Sequence, residues 1–163
     1  MSRLETMSSE LFDRLRQTSD DKQRQAAIAA CHFAQAHSNL QDPLFLETLQ
    51  HLHNRQRFSS HEKSQIETLV SQLDEQYFRL YAIDEEKREA ADNRSNNERE
   101  AAEKEYMKFF LQARAAACLL FAMDEDSFLA STEAIYEAAA TTETDDELKE
   151  FFDLIRSVLS RAG

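Results

Sequence analysis

A chain of 163 residues that is 42% hydrophobic, with eleven Phe and four Tyr, has the material for a single packed helical domain spanning residues 1–163. Its one Gly is the last residue and its one Pro is Pro43, which excludes glycine-rich phosphate loops, dinucleotide fingerprints and GxSxG nucleophile elbows. The net charge of −12 is unevenly spread: residues 1–58 hold seven basic and seven acidic side chains, residues 124–163 three and eleven. Such a field repels nucleic acid and anionic membrane and draws basic partners.

The apolar spacing is helical from the start. Leu4, Met7, Leu11 and Leu15 make a first amphipathic stripe. Residues 21–37 predict a second, Ala-rich helix with Ile28, Cys31 and Ala34 on one side. Asp42 and Pro43 supply an N-cap and a first-turn proline for a third, striped by Phe45, Leu46, Leu49, Leu52 and His53. SSHE at 59–62 has the form of a capping box and leads into Ile66, Leu69, Val70, Leu73, Tyr77 and Tyr81. Tyr77–Phe78 beside Tyr81, like Phe109–Phe110 and Phe151–Phe152, reads as a helix sandwiched between neighbours rather than a pocket wall.

Between Ile83 and Tyr106 the only apolar residues are alanines, so that segment cannot bury a face. Its ends have helix-forming composition and NRSNN breaks the middle; 84–104 is expected to be a protruding helical hairpin, with a disordered linker as the alternative. A fifth helix, about 99–123, carries Tyr106, Phe109, Phe110, Ala113, Ala117 and Phe121, and a sixth spans about 127–140. Thr144, with Glu147 three residues on, caps a last helix striped by Leu148, Phe151, Phe152, Ile155 and Val158. No segment alternates with period two for the length of a strand. The expected fold is all-α, with six to seven amphipathic helices in an antiparallel bundle or short α-solenoid.

A duplication is suggested by AAIAACHFAQA (26–36) against ARAAACLLFAM (113–123), which sets Cys31 on Cys118. Phe45–Leu46 then matches Phe128–Leu129, and Ile66, Leu69, Val70 and Leu73 each lie 82 residues before Leu148, Phe151, Phe152 and Ile155. Two three-helix units, 20–82 and 105–160, would follow. Shared Ala-rich composition produces the same resemblance without duplication.

Three consecutive acids, Asp124, Glu125 and Asp126, invite a chemical reading. A calcium loop starting at Asp124 needs Gly at its sixth position and Glu at its twelfth, where Leu129 and Ile135 stand. A catalytic pair needs two carboxyls in contrasting environments, which adjacent acids in a short turn do not have. The acids are expected to start the next helix, with Asp126 or Ser127 as its cap. The five histidines form no Glu-x-x-His or HExxH pattern, and Cys31 and His32 diverge around a helix instead of facing each other. Both cysteines sit in Ala-rich runs and read as buried free thiols. No metal, cofactor or catalytic set is therefore expected.

No signal-peptide pattern opens the chain, and the longest apolar run, 115–123, is half of the ~20 residues a membrane span needs, so a cytoplasmic location is expected. The functional expectation is a non-enzymatic protein-binding module of the inhibitor, immunity or antitoxin kind, acting on a basic protein such as a nuclease toxin. Its acidic second half would supply the contacts: Asp124, Glu125, Asp126, Glu133, Glu137, Glu143, Glu147 and Glu150. The alternative is a small-molecule-binding or sensory domain, its Ala-rich helices leaving room for an apolar ligand.

Overall fold

A computed structural model describes residues 1–161 and contains eight helices and, among those residues, no strand. They are α1 Arg3–Met7, α2 Ser9–Arg16, α3 Asp20–Ser38, α4 Pro43–His53, α5 Ser60–Glu89, α6 Asn96–Ala122, α7 Ser127–Ala139 and α8 Asp145–Ser160. No helix is long and apolar enough to cross a membrane. The all-α class is as expected. The count is eight rather than six or seven because the first stripe is two helices: Ser8 is extended (φ −154, ψ 94) and its hydroxyl accepts from the Leu11 amide, ending one helix and capping the next. The corner lets Leu4, Leu11 and Leu15 all reach the core while Met7 stays exposed.

Caps set the remaining boundaries. Side chains of Ser19, Asp42, Ser59, Ser95, Asp126 and Thr144 each accept a backbone amide at the start of their helices. Without internal glycine, the left-handed positions fall to Asn39 (φ 53), which tolerates them, and to Arg55 (φ 56), which holds its conformation at a cost of about 1–2 kcal/mol.

The centre is built from small residues. Ala26, Ala30 and Ala34 of α3, Ala113, Ala116 and Ala122 of α6, and Ala130, Ala134 and Ala138 of α7 are fully buried, which lets the three helices approach closely. α6 runs against both α3 and α7. Arg24 near the start of α3 reaches the Ala122 carbonyl at the end of α6, and Ser127 opens α7 beside Gln23, its hydroxyl donating to Gln23 Oε1 at 2.7 Å. α3 and α7 therefore advance in the same sense, and the arrangement is not a uniformly antiparallel bundle: two helices that each oppose α6 must be parallel to one another. α8 returns along α3, stacking Phe151 on Phe33 at 4.4 Å between ring centroids.

Cys31 and Cys118 meet across α3 and α6, their sulfurs 3.7 Å apart, and both are free thiols. Burial, with the neighbouring Cys31, pushes the Cys118 thiol well up from its ordinary value, and its sulfur donates to the Ala134 carbonyl at 3.2 Å. Around this pair the two halves pack differently: α7 lies against both α3 and α6, whereas α4, its counterpart in sequence, touches them only lightly.

α5 and α6 form a long hairpin. No residue between 74 and 108 belongs to the core cluster, and α5 packs chiefly on α6, with lighter contact to α4. Sixteen residues beyond Leu73 give an arm of roughly 24 Å at 1.5 Å per residue. Asp84, 2% exposed, locks its tip by pairing with Arg88 and Arg94, each at 2.8 Å. Arg94 also grips Asp92 at 2.9 Å, and the hydrogen bonds from its side chain and its amide lower the Asp92 carboxyl to about 2.

Candidate functional site

The eight acids singled out in the sequence do not form one surface. Asp126 caps α7, accepting from the Phe128 and Leu129 amides at 3.0 and 3.1 Å, and Asp124 accepts from the Asp126 amide at 2.8 Å. Those two side chains organise the turn; Glu125 between them is exposed. Thirteen residues of α7, roughly 20 Å, separate this turn from Glu143, Glu147 and Glu150 at the other end. There Glu143 and Glu150 are exposed, joined by exposed Asp145 and Asp146, while Glu147 is half-buried and accepts from the Glu143 amide at 2.8 Å.

Glu137 corrects the expectation. It is 2% exposed and faces inward, so it is not available as surface charge. Its carboxylate oxygens accept from Arg3 and from Arg114, each at 2.9 Å, and these arginines hold second acids, Glu133 and Asp74. Glu133 is thereby half-buried and committed to Arg3. The Arg3 guanidinium lies 4.2 Å from the Tyr136 ring centroid, and this joint ties α1 to α7. Burial lowers the Arg3 pKa, but the hydrogen bonds to Glu133 and Glu137 outweigh it and leave the value raised. The joint is a structural fastening for the N-terminal segment.

The arm carries what sequence reasoning missed. Beyond Leu73, α5 has α6 on one side only, so its opposite face is solvent-exposed. Along that face Glu75, Phe78, Ala82, Glu85 and Glu89 follow alternating three- and four-residue steps, which makes them one stripe, exposed except at half-buried Glu85. Phe78 is 63% exposed, and Tyr81 beside it is 39% exposed. Both rings are supported from behind. Tyr77 lies 5.1 Å from Phe78, 5.8 Å from Tyr81, 6.0 Å from Tyr106 and 5.3 Å from Phe110, measured between centroids. The charge of Glu85, followed by burial and a hydrogen bond from the phenol, pushes the Tyr81 pKa up. The result is a pre-ordered pair of aromatic rings edged by carboxylates. The signal was present in the sequence: Phe78 steps out of the Leu73–Tyr77–Tyr81 stripe and into a glutamate row.

No group of three or more His, Cys, Asp or Glu placed to hold a metal occurs among the described residues. Comparison with protein-family models, with curated proteins and with solved structures finds no match to this chain.

Proposed function

We propose that the chain is a cytoplasmic, non-enzymatic protein-binding module for a basic partner, of the inhibitor, immunity or antitoxin kind, with a nuclease toxin as the type of target. The observation that carries the reading is Phe78: a large aromatic side chain, 63% exposed, on a helix stripe that also carries Glu75, Ala82, Glu85 and Glu89. Exposed aromatics fixed by packing are the usual energetic anchors of an interface, worth about 2 kcal/mol or more each when they fill a pocket. Rings edged by carboxylates suit lysine and arginine in particular, through contact with the ring face and charge pairing at its edge. The net charge of −12 would speed encounter with such a partner, and the exposed acids at the α7–α8 turn add to that field.

The test is kinetic. Replacing exposed Glu75, Glu86 and Glu89 by Lys is expected to slow association with the partner about tenfold at low salt and to flatten its salt dependence. An association rate unchanged by these reversals rejects the arm as the docking face.

A further inference from the structure

A cavity of about 750 Å³ opens where α3, the α4–α5 loop, the start of α5 and the α6–α7 turn meet. In a chain with twelve excess negative charges its wall is cationic: Arg24, Arg55, Arg57 and Lys63 line it, against Asp124 and Glu125. Two of the cations are occupied. Arg24 donates to the carbonyls of Ala122 at 3.4 Å and Asp124 at 2.5 Å, and to that of Glu125, capping the end of α6. Arg55 pairs with Asp21 at 2.6 Å. Arg57 and Lys63 line the cavity, and their side chains enter no hydrogen bond or ion pair among the described residues, the Lys63 amide alone donating, to the Ser59 carbonyl. The carboxylate of Asp124 is turned into its own chain, accepting from the Asp126 amide.

The floor has the opposite character. Leu52 and Met123 are each 6% exposed, and Ile28 and Phe58 pack against the core beside them. The first turn of α5, a helix of 30 residues, also borders the cavity through Ser59 and Ser60, and its positive end adds to the field of the cations. Apolar floor, cationic rim and this volume together match a small amphipathic anion rather than a bare ion or a neutral hydrocarbon.

We propose that this cavity binds a small organic anion, its carboxylate or phosphate head between Arg57 and Lys63 and its apolar or aromatic body on Leu52, Phe58 and Met123. The site is separate from the aromatic arm and stands or falls independently of it. Arg55 serves it through the backbone: its left-handed conformation turns the chain so that Arg55 and Arg57 both face the cavity.

The dye 8-anilinonaphthalene-1-sulfonate has this chemistry and reports its own binding by fluorescence. Its neutral relative N-phenyl-1-naphthylamine lacks the anion. The intact chain is expected to bind the anionic dye, and the variant R57E/K63E to bind it at least about tenfold more weakly, while both bind the neutral dye alike. Octanoate and phenyl phosphate are then used as competitors, and the one that displaces the dye identifies the head group. Because neither substituted side chain has a partner to lose, the variant is expected to melt with the parent. The proposal is overturned by absence of dye binding, by equal weakening of both dyes, by unchanged binding in the variant, or by failure of both competitors.

Discussion

Glu137→Gln removes one charge from the buried acid that joins Arg3 and Arg114, and leaves the shape of the side chain intact. Two charge-assisted hydrogen bonds, to Arg3 and Arg114, are lost or weakened. At about 1.5–3 kcal/mol each, the full loss spans about 3–6 kcal/mol. The lower end applies here. The arginine side chains are 42% and 20% exposed, and each keeps a second carboxylate, Glu133 or Asp74, so neither is stranded as an uncompensated buried charge. The expected destabilisation is about 3 kcal/mol, or about 6–12 °C in melting temperature for a chain of this length. Thermal unfolding by circular dichroism measures it. Arg3→Ala should cost less, since Glu137 retains Arg114, and should loosen α1 selectively. A Glu137→Gln protein melting within about 2 °C of the parent would refute the view that this joint holds the N-terminal segment to α7.

Asp84→Ala removes the acid that holds Arg88 and Arg94, so amide exchange is expected to accelerate across 84–99 with little change in α3, α7 or α8; uniform acceleration would contradict an independent arm tip. Asp92 is held at about 2, below its usual 3.8, so the turn it makes with Arg94 is intact above about pH 4 and loosens as pH falls towards 2, read by exchange at residues 90–96. Burial, and then the charge of His53, lowers His32 from 6.5; protonation then favours the unfolded chain, and the contribution present above about pH 6.5 is lost as pH falls below it through the lowered folded-state value. Melting curves between about pH 7.5 and 5.5 should show that slope, and His32→Gln should reduce it. Cys31 and Cys118 are both fully buried, so maleimide labelling should proceed no faster than global unfolding, and rapid labelling of the folded chain would contradict their enclosure.

Local chemistry was readable from the chain. Asp42 with Pro43, Ser59 with Glu62 and Thr144 with Glu147 start helices where their spacing says they should, because a cap depends on residues within one turn. The acids at 124–126 resolve in the same way, as the cap and turn of α7. Ser8 shows the limit: the apolar spacing runs straight through it, and only its hydroxyl, closing on Leu11, marks the break. What depended on tertiary partners was not legible. Glu137 looks like a surface acid until Arg3 and Arg114 arrive from distant segments to neutralise it. The cationic cavity is assembled from Arg24, the 55–57 loop and Lys63, so the even charge balance of residues 1–58 concealed it. Phe78 groups in sequence with its half-buried neighbour Tyr77, whereas α5 has no second helix there to cover it.

The most direct test of the proposed activity is a paired capture from lysate of the source cells, with the parent chain and Phe78→Asp immobilised side by side. Phe78 is exposed and outside the core cluster, so the substitution is expected to change stability by no more than about 0.5 kcal/mol. The parent is expected to retain a basic protein in stoichiometric amount and to release it at raised salt, and Phe78→Asp not to retain it. Equal retention of that protein by both chains, or retention of no basic protein by the parent, would contradict the account.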